Sequence, residues 1–302
     1  MSTVVMTGGT SGFGAVAAGR VRGSDDVRLI LGARGPVSTG RSIPLDLAQL
    51  DSVRAFAAAV REETGDDPID ALVLNAGLIR PDVADRTVDG FETTFAVNHL
   101  AHYLLLRLLL PGLADGATVV LTTSGTHDPA TKAGLAPPRH ADADLLAHPD
   151  RDPDGETRAR KAGQQAYTAS KLCAVLTARA LSERENTPSR RLTALAYCPG
   201  QVFGTGLAEN LPFPLPVVWS LLGTPFLSRP LSRLSPTLNT APSAGNTLSD
   251  LTLGLVTPPA GRTYAALRRG RLTWPDPSDL ARSAELAHKL WADSARLVGL
   301  PD

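Results

Sequence analysis

An excess of positive charge is missing from this chain. Lys+Arg total 30 and Asp+Glu total 30 over 302 residues, so the formal net charge is +0. Nucleic acids and anionic membranes select basic surfaces, so neither is expected as a partner. Cysteine is sparse. Cys173 and Cys198 form no CxxC pair and have no histidine at metal spacing, which argues against a metal centre and for a reducing compartment. Lysine is scarce beside arginine, which we read as the mark of a GC-rich genome. Long apolar runs are also lacking. The richest, Leu104–Leu110, is broken by Arg107 and is far short of a membrane span. Met1–Thr7 is too short for the apolar core of a secretory signal and runs into a glycine turn. The expected location is cytoplasmic.

What is present is an ordinary globular balance, 43% hydrophobic and 20% charged. The length suits one large α/β domain or two small ones. Strand and helix signals alternate. Apolar runs at Thr3–Thr7, Val27–Leu31, Ser42–Leu45, Ala71–Leu74, Thr118–Thr122 and Leu192–Ala196 read as strands. Between them, Ala15–Val21, Ser52–Val60, Phe91–Leu110 and Ala166–Glu185 read as helices, with Asp51 as the N-cap of the second and Pro111 ending the third. This spacing predicts a doubly wound (Rossmann) α/β fold over residues 1–302, a mainly parallel sheet with helices on both faces. Ligands bind such sheets outside the carboxyl ends of the strands.

Two stretches interrupt the alternation. His127–Gln165 is polar and reads as a surface insertion. Gly206–Asn239 is apolar and proline-studded, with Phe213, Trp219 and Phe226. It is too apolar for a linker, and the sequence leaves open whether it is extra core, a substrate lid or a subunit interface.

Between the first strand and the first helix stands T-G-G-T-S-G-F-G, Thr7–Gly14. Without side chains at Gly8, Gly12 and Gly14, the backbone can turn tightly and approach a pyrophosphate at a helix N-terminus. The second strand ends in L-G-A-R. An NAD-binding fold usually has an acid there for the ribose hydroxyls. Ala33 followed by Arg34 removes that acid and offers a guanidinium that can grip a 2′-phosphate. NADP(H) is therefore the expected cofactor, rather than NAD(H).

Together with Tyr167-Thr168-Ala169-Ser170-Lys171, Asn75-Ala76-Gly77, Asp46 in P-L-D-L, Asn98 in V-N-H-L, Ser124 in T-T-S-G and Pro199-Gly200 followed by Val202 and Thr205, these motifs resemble the short-chain dehydrogenase/reductase family. VNHLAHYLLLRLLLP, AYTASKL and LAHKLWADSARLVGL are similar to the branch holding retinol dehydrogenases and protochlorophyllide reductases. The resemblance implies a catalytic set of Asn98, Ser124, Tyr167 and Lys171. It implies cofactor contacts from Gly8, Thr10, Ser11, Gly12, Phe13, Gly14, Arg34, Asp46, Leu47, Asn75, Ala76, Gly77, Pro199, Gly200, Val202 and Thr205, with Tyr167 and Lys171 also touching the nicotinamide end. The chain departs from the family in three places. His127–Gln165 lengthens the serine-to-tyrosine connection, an extra residue precedes Thr205, and Thr122, Thr123 and Ser124 all offer a hydroxyl; Ser124 is chosen because it precedes the small-residue turn.

Tyr167 and Lys171 are four residues apart and share one face of a helix. A nearby ammonium lowers a phenol's pKa, letting Tyr167 act as general acid in reduction and base in oxidation. Ser124 can donate to a carbonyl oxygen as hydride arrives. By resemblance, Asn98 anchors a water joining Lys171 to solvent. His99, His102 and His127 read as packing or loop residues, and Cys173 as a small buried hydrophobe. The expected activity is hydride transfer between NADP(H) and a carbonyl or alcohol carbon of a hydrophobic small molecule. The alternatives are a sugar-nucleotide epimerase or dehydratase, disfavoured by the glycine spacing, and a cofactor sensor without turnover. The oligomeric state stays open, although Phe91–Leu110 and Ala166–Glu185 resemble the helices through which family members pair as homodimers or homotetramers.

Overall fold

The computed structural model describes residues 1–35, 41–185, 191–205, 214–224, 226 and 235–301. In chain order its elements are β1 (Ser2–Thr7), α1 (Gly12–Arg22), β2 (Val27–Ala33), β3 (Arg41–Pro44), α2 (Leu50–Thr64), β4 (Ile69–Leu74), α3 (Thr93–Phe95), a π-helical turn (Ala96–Leu100), α4 (Ala101–Leu109), β5 (Leu113–Thr122), α5 (Ala143–Ala147), α6 (Ala159–Glu185), β6 (Thr193–Cys198), α7 (Leu215–Leu222), α8 (Ala241–Thr252), β7 (Tyr264–Arg268), β8 (Arg271–Thr273) and α9 (Ala284–Leu297). The strands form one sheet of order β3-β2-β1-β4-β5-β6-β7-β8. Every pairing is parallel except that of β8 with β7. The expected doubly wound sheet is present.

The strands are apolar almost throughout because both faces are covered. Along β1, Val5 joins one core with Phe56, Leu104 and Leu176, from α2, α4 and α6. Val4 and Met6 point the other way, into a core shared with Ala17 and Val21 of α1 and Leu248 of α8. Each large side chain buried in this way contributes about 1.5–3 kcal/mol. The order reverses between β1 and β4, so the carboxyl ends of these strands open a crevice at the switch point.

Several helix ends differ from the sequence reading. The second helix begins at Leu50 with Gln49 at its cap, not Asp51. A distant carboxylate takes the capping role, because Leu50 N donates to Asp89 Oδ2 at 3.0 Å. The long helix expected over Phe91–Leu110 starts at Thr93. Buried Glu92 accepts from Thr94 N and Phe95 N, and the π-turn then interrupts the regular winding. The segment 127–165 is not solvated throughout: Ala141, Ala143 and Ala147 reach the core that includes Trp291 of α9. Half of 206–239 lies outside the described residues. No described helix is long and apolar enough to cross a membrane.

Candidate active site

A cavity of about 1020 Å³ runs across the carboxyl ends of the central strands. It is lined by every residue of the expected cofactor and catalytic set except Asn98. Asn98 lies just behind the wall: a Cβ on Gly77 would stand 3.3 Å from both Asn98 Oδ1 and Lys171 Nζ.

The glycine turn has the shape of a dinucleotide cradle. Gly8 takes φ +67°, and a Cβ on Gly14 would sit 2.0 Å from Gly8 O. Ser11, at the N-cap of α1, makes no side-chain capping bond, and the first turn carries no acid. The N–H groups of that turn are therefore left to an anion. Asn75 ties three strands together here. Its amide donates to Gly8 O at 2.8 Å, its Oδ1 accepts from Thr122 Oγ1 at 2.8 Å, and its backbone N donates to Thr7 Oγ1 at 3.0 Å. Arg34 is exposed beside Gly32 and Ala33 on the cavity wall. Asp46 accepts from Ala48 N and Gln49 Nε2, which fixes its carboxylate at the β3 end. The extra residue before Thr205 does not carry it away. Its methyl packs over Gly12, and its Oγ1 accepts from Trp219 Nε1 at 3.3 Å.

At the other end the three adjacent hydroxyls separate. Thr122 bonds Asn75, and Thr123 Oγ1 donates to Lys171 O at 2.6 Å. Of the three, only Ser124 acts on the Tyr167 phenol. Tyr167 is buried, and burial pushes its phenol well up while the neighbouring Ser124 hydroxyl pulls the other way. This corrects the expectation that Lys171 lowers it. The Lys171 ammonium lies 5.6 Å from the Tyr167 ring centroid and donates to Thr122 O at 3.2 Å, and its own burial pushes it down to about 8. Two buried groups without opposite charges both shift toward their neutral forms.

Asn98 sits in the π-turn. Its Oδ1 accepts from Leu78 N at 2.8 Å, and its amide donates to Leu78 O at 2.9 Å and Ser170 Oγ at 3.0 Å. A buried amide is thus fully used, clamping α6 to the loop after β4.

Two histidines read as packing residues have more specific positions. His102, one helical turn beyond Asn98, lies between Asn98 O and Thr7 Oγ1. His127 Nδ1 lies 2.7 Å from Ser124 O, and its Nε2 accepts from Ser278 N at 3.4 Å. Their spacings, i+4 from Asn98 and i+3 from Ser124, were the available signal. Arg268, at the end of β7, lines the cavity and was not anticipated. Cys173 is buried as expected, with its thiol pushed well up by burial.

The family model for short chain dehydrogenases matches residues 2–133. Protochlorophyllide reductase A and B sequences of Oryza sativa and Hordeum vulgare are similar along nearly the whole chain. The B form of Hordeum vulgare is 30% identical over 98% of this chain and 78% of its own length. Retinol dehydrogenase 13 of Homo sapiens is 34% identical over 85% of this chain and 68% of its own. Among solved structures, an uncharacterized protein from Mycobacterium paratuberculosis superposes with a TM-score of 0.66 at 26% identity, covering 100% of this chain and 94% of the other. The chain belongs to the short-chain dehydrogenase/reductase family of oxidoreductases, in the branch of the protochlorophyllide reductases and retinol dehydrogenases.

Proposed function

We propose that the protein is an NADP(H)-dependent reductase or dehydrogenase acting on a carbonyl or alcohol carbon, with Tyr167 as the proton donor and acceptor. The observation that carries this reading is that Tyr167, Ser124 and Lys171 stand together on the wall of the cavity that the glycine turn also lines. When bound, the nicotinamide supplies or accepts the hydride. The glycine turn and the N-terminus of α1 would hold its pyrophosphate, and Pro199, Gly200, Val202 and Thr205 would flank the nicotinamide end.

The chain's own residues have separable tasks. Ser124 donates to the substrate oxygen as negative charge develops on it. Tyr167 then delivers its proton to that oxygen, or removes it in the reverse direction. Its raised phenol keeps the proton in place until the oxygen becomes basic. Lys171 holds positive charge beside the phenolate so formed, and Asn98 fixes Lys171 by clamping α6 at Ser170. Ala33 stands where a ribose-binding acid would repel a 2′-phosphate, and Arg34 beside it favours NADP(H).

The substrate is read as a small, largely apolar molecule, in keeping with Leu78, Ile79, Leu135 and Trp219 on the cavity wall. A cytoplasmic location and pairing into a homodimer or homotetramer belong to the same reading. The test is the oxidation of NADPH and NADH followed across a panel of aldehydes and ketones, with the reverse reaction on the matching alcohols. NADPH-dependent turnover supports the proposal. Cofactor binding without turnover on any member would favour a sensor.

A further inference from the structure

Arg268 is the last residue of β7, beside the strand β6 that ends in Cys198. Its guanidinium is half-buried, and Nη2 reaches toward Gly125, stopping 3.6 Å from where a Cβ on that residue would stand. Gly125 follows Ser124 directly, so the cation borders the place where a substrate carbonyl would meet the Ser124 hydroxyl.

The groups that hold Arg268 do not balance its charge. Nη1 donates to Leu267 O at 3.3 Å and to Cys198 Sγ at 3.7 Å, with the Tyr264 phenol nearby. Among the described residues no carboxylate pairs with it. A partly desolvated cation without a counter-charge is unfavourable unless something supplies one. The cavity does not. Of the charged side chains on its wall, Arg34, Arg80, Lys132, Lys171 and Arg268 are basic and only Asp46 is acidic. Asp46 follows β3, at the far edge of the sheet, whereas Arg268 ends β7. Leu78, Ile79, Leu135 and Trp219 add apolar side chains to the wall, while Thr126, Thr131 and Lys132 are polar.

We infer that Arg268 receives a carboxylate carried by the substrate, so that the carbonyl compound is an oxo acid with an apolar body. This rests on the reading of the cavity as a carbonyl-reducing site and adds the class of substrate to it. A guanidinium presents a planar fork of donors that matches the two oxygens of a carboxylate. The apolar side chains of the wall would take the remainder of the molecule, and the position beside Gly125 sets the acid near the reacting carbon.

The test uses binding, so it does not depend on turnover. The whole protein, with and without saturating NADP+, is titrated calorimetrically with 2-naphthoate and with 2-naphthamide, which share a shape and differ in charge. Naphthoate is expected to bind at least about tenfold more tightly than the amide, the range of a charge-assisted hydrogen-bonded pair. In Arg268→Gln that ratio should fall to about one, with circular dichroism verifying the fold. Should this variant fail to fold, the wild-type ratio decides. Equal affinities in the wild type, no binding of either probe, or a preference that survives Arg268→Gln would overturn the assignment. A failure of the carbonyl-reducing reading appears separately, as absent NADPH oxidation on the aldehyde and ketone panel.

Discussion

His102 Nε2 lies 3.0 Å from Thr7 Oγ1, so the ring that follows Asn98 by one helical turn is bonded to the end of β1. Thr7 Oγ1 already accepts from Asn75 N and Ala76 N, and its own proton must therefore go to Nε2. The ring is thus protonated at Nδ1 and donates to Asn98 O at 3.2 Å. A neutral imidazole of one fixed tautomer joins the glycine turn to the π-turn.

Burial pushes His102 down to about 4 and His99 to about 3. Both folded values lie below the unfolded value of about 6.5. The unfolded chain therefore takes up protons that the folded chain refuses. No stability is lost on this account above pH 6.5; below it, stability falls until pH approaches 4 for His102 and 3 for His99. Each histidine should remove about 2 kcal/mol at pH 5. Urea midpoints at pH 7 and pH 5 check this. His102→Gln should lessen the drop by about half of the pair's contribution, and an unchanged drop would deny the buried neutral state.

Lys171 is expected to titrate at about 8 in the protein without cofactor. Its folded value is lowered, so the penalty of burying the ammonium is complete below that pH. The penalty is relieved as pH rises from there toward the unfolded value of about 10.4. The Cε resonance in protein labelled with ¹³C-lysine reads this directly. A midpoint at the ordinary lysine value would mean the side chain is solvated.

Much of this arrangement was legible in the chain. Apolar runs and glycine placement gave β1, β2, β4, β5 and the crevice, because those strands are buried on both faces over most of their length. Tyr167, Lys171 and Ser124 were singled out by motif, and all three line the one cavity. Other features depend on tertiary packing. The π-turn at Asn98 leaves no mark on periodicity. The Asp89 cap of α2 comes from a loop 39 residues away. Strands β7 and β8 are short, and α8 carries Pro242 and Gly245, so neither offers a strong local pattern. Lys171 and Tyr167 mislead by proximity in sequence: desolvation outweighs the expected charge effect on the phenol.

Arg34→Ala should weaken NADPH binding about 10- to 100-fold, as expected for a lost charge-assisted contact, and leave NADH little changed. Fluorescence titration of both cofactors measures the split. Equal losses would remove Arg34 from the 2′-phosphate.

Gly14→Ala places a methyl 2.0 Å from Gly8 O, against backbone that cannot swing aside. Overpacking of this kind costs about 1–3 kcal/mol. Thermal unfolding should show that loss together with abolished cofactor binding. Normal cofactor affinity in the variant would mean the turn is not the cradle.

The decisive measurement is the single-turnover decay of bound NADPH, mixed rapidly with a carbonyl substrate from the panel, in wild type and Tyr167→Phe. The phenylalanine keeps the ring and removes the proton. The expected result is a decay slowed about 10²- to 10⁴-fold, the range of a lost general acid, with NADPH affinity retained. A variant that reduces the carbonyl at the wild-type rate would contradict the assignment of proton transfer to Tyr167.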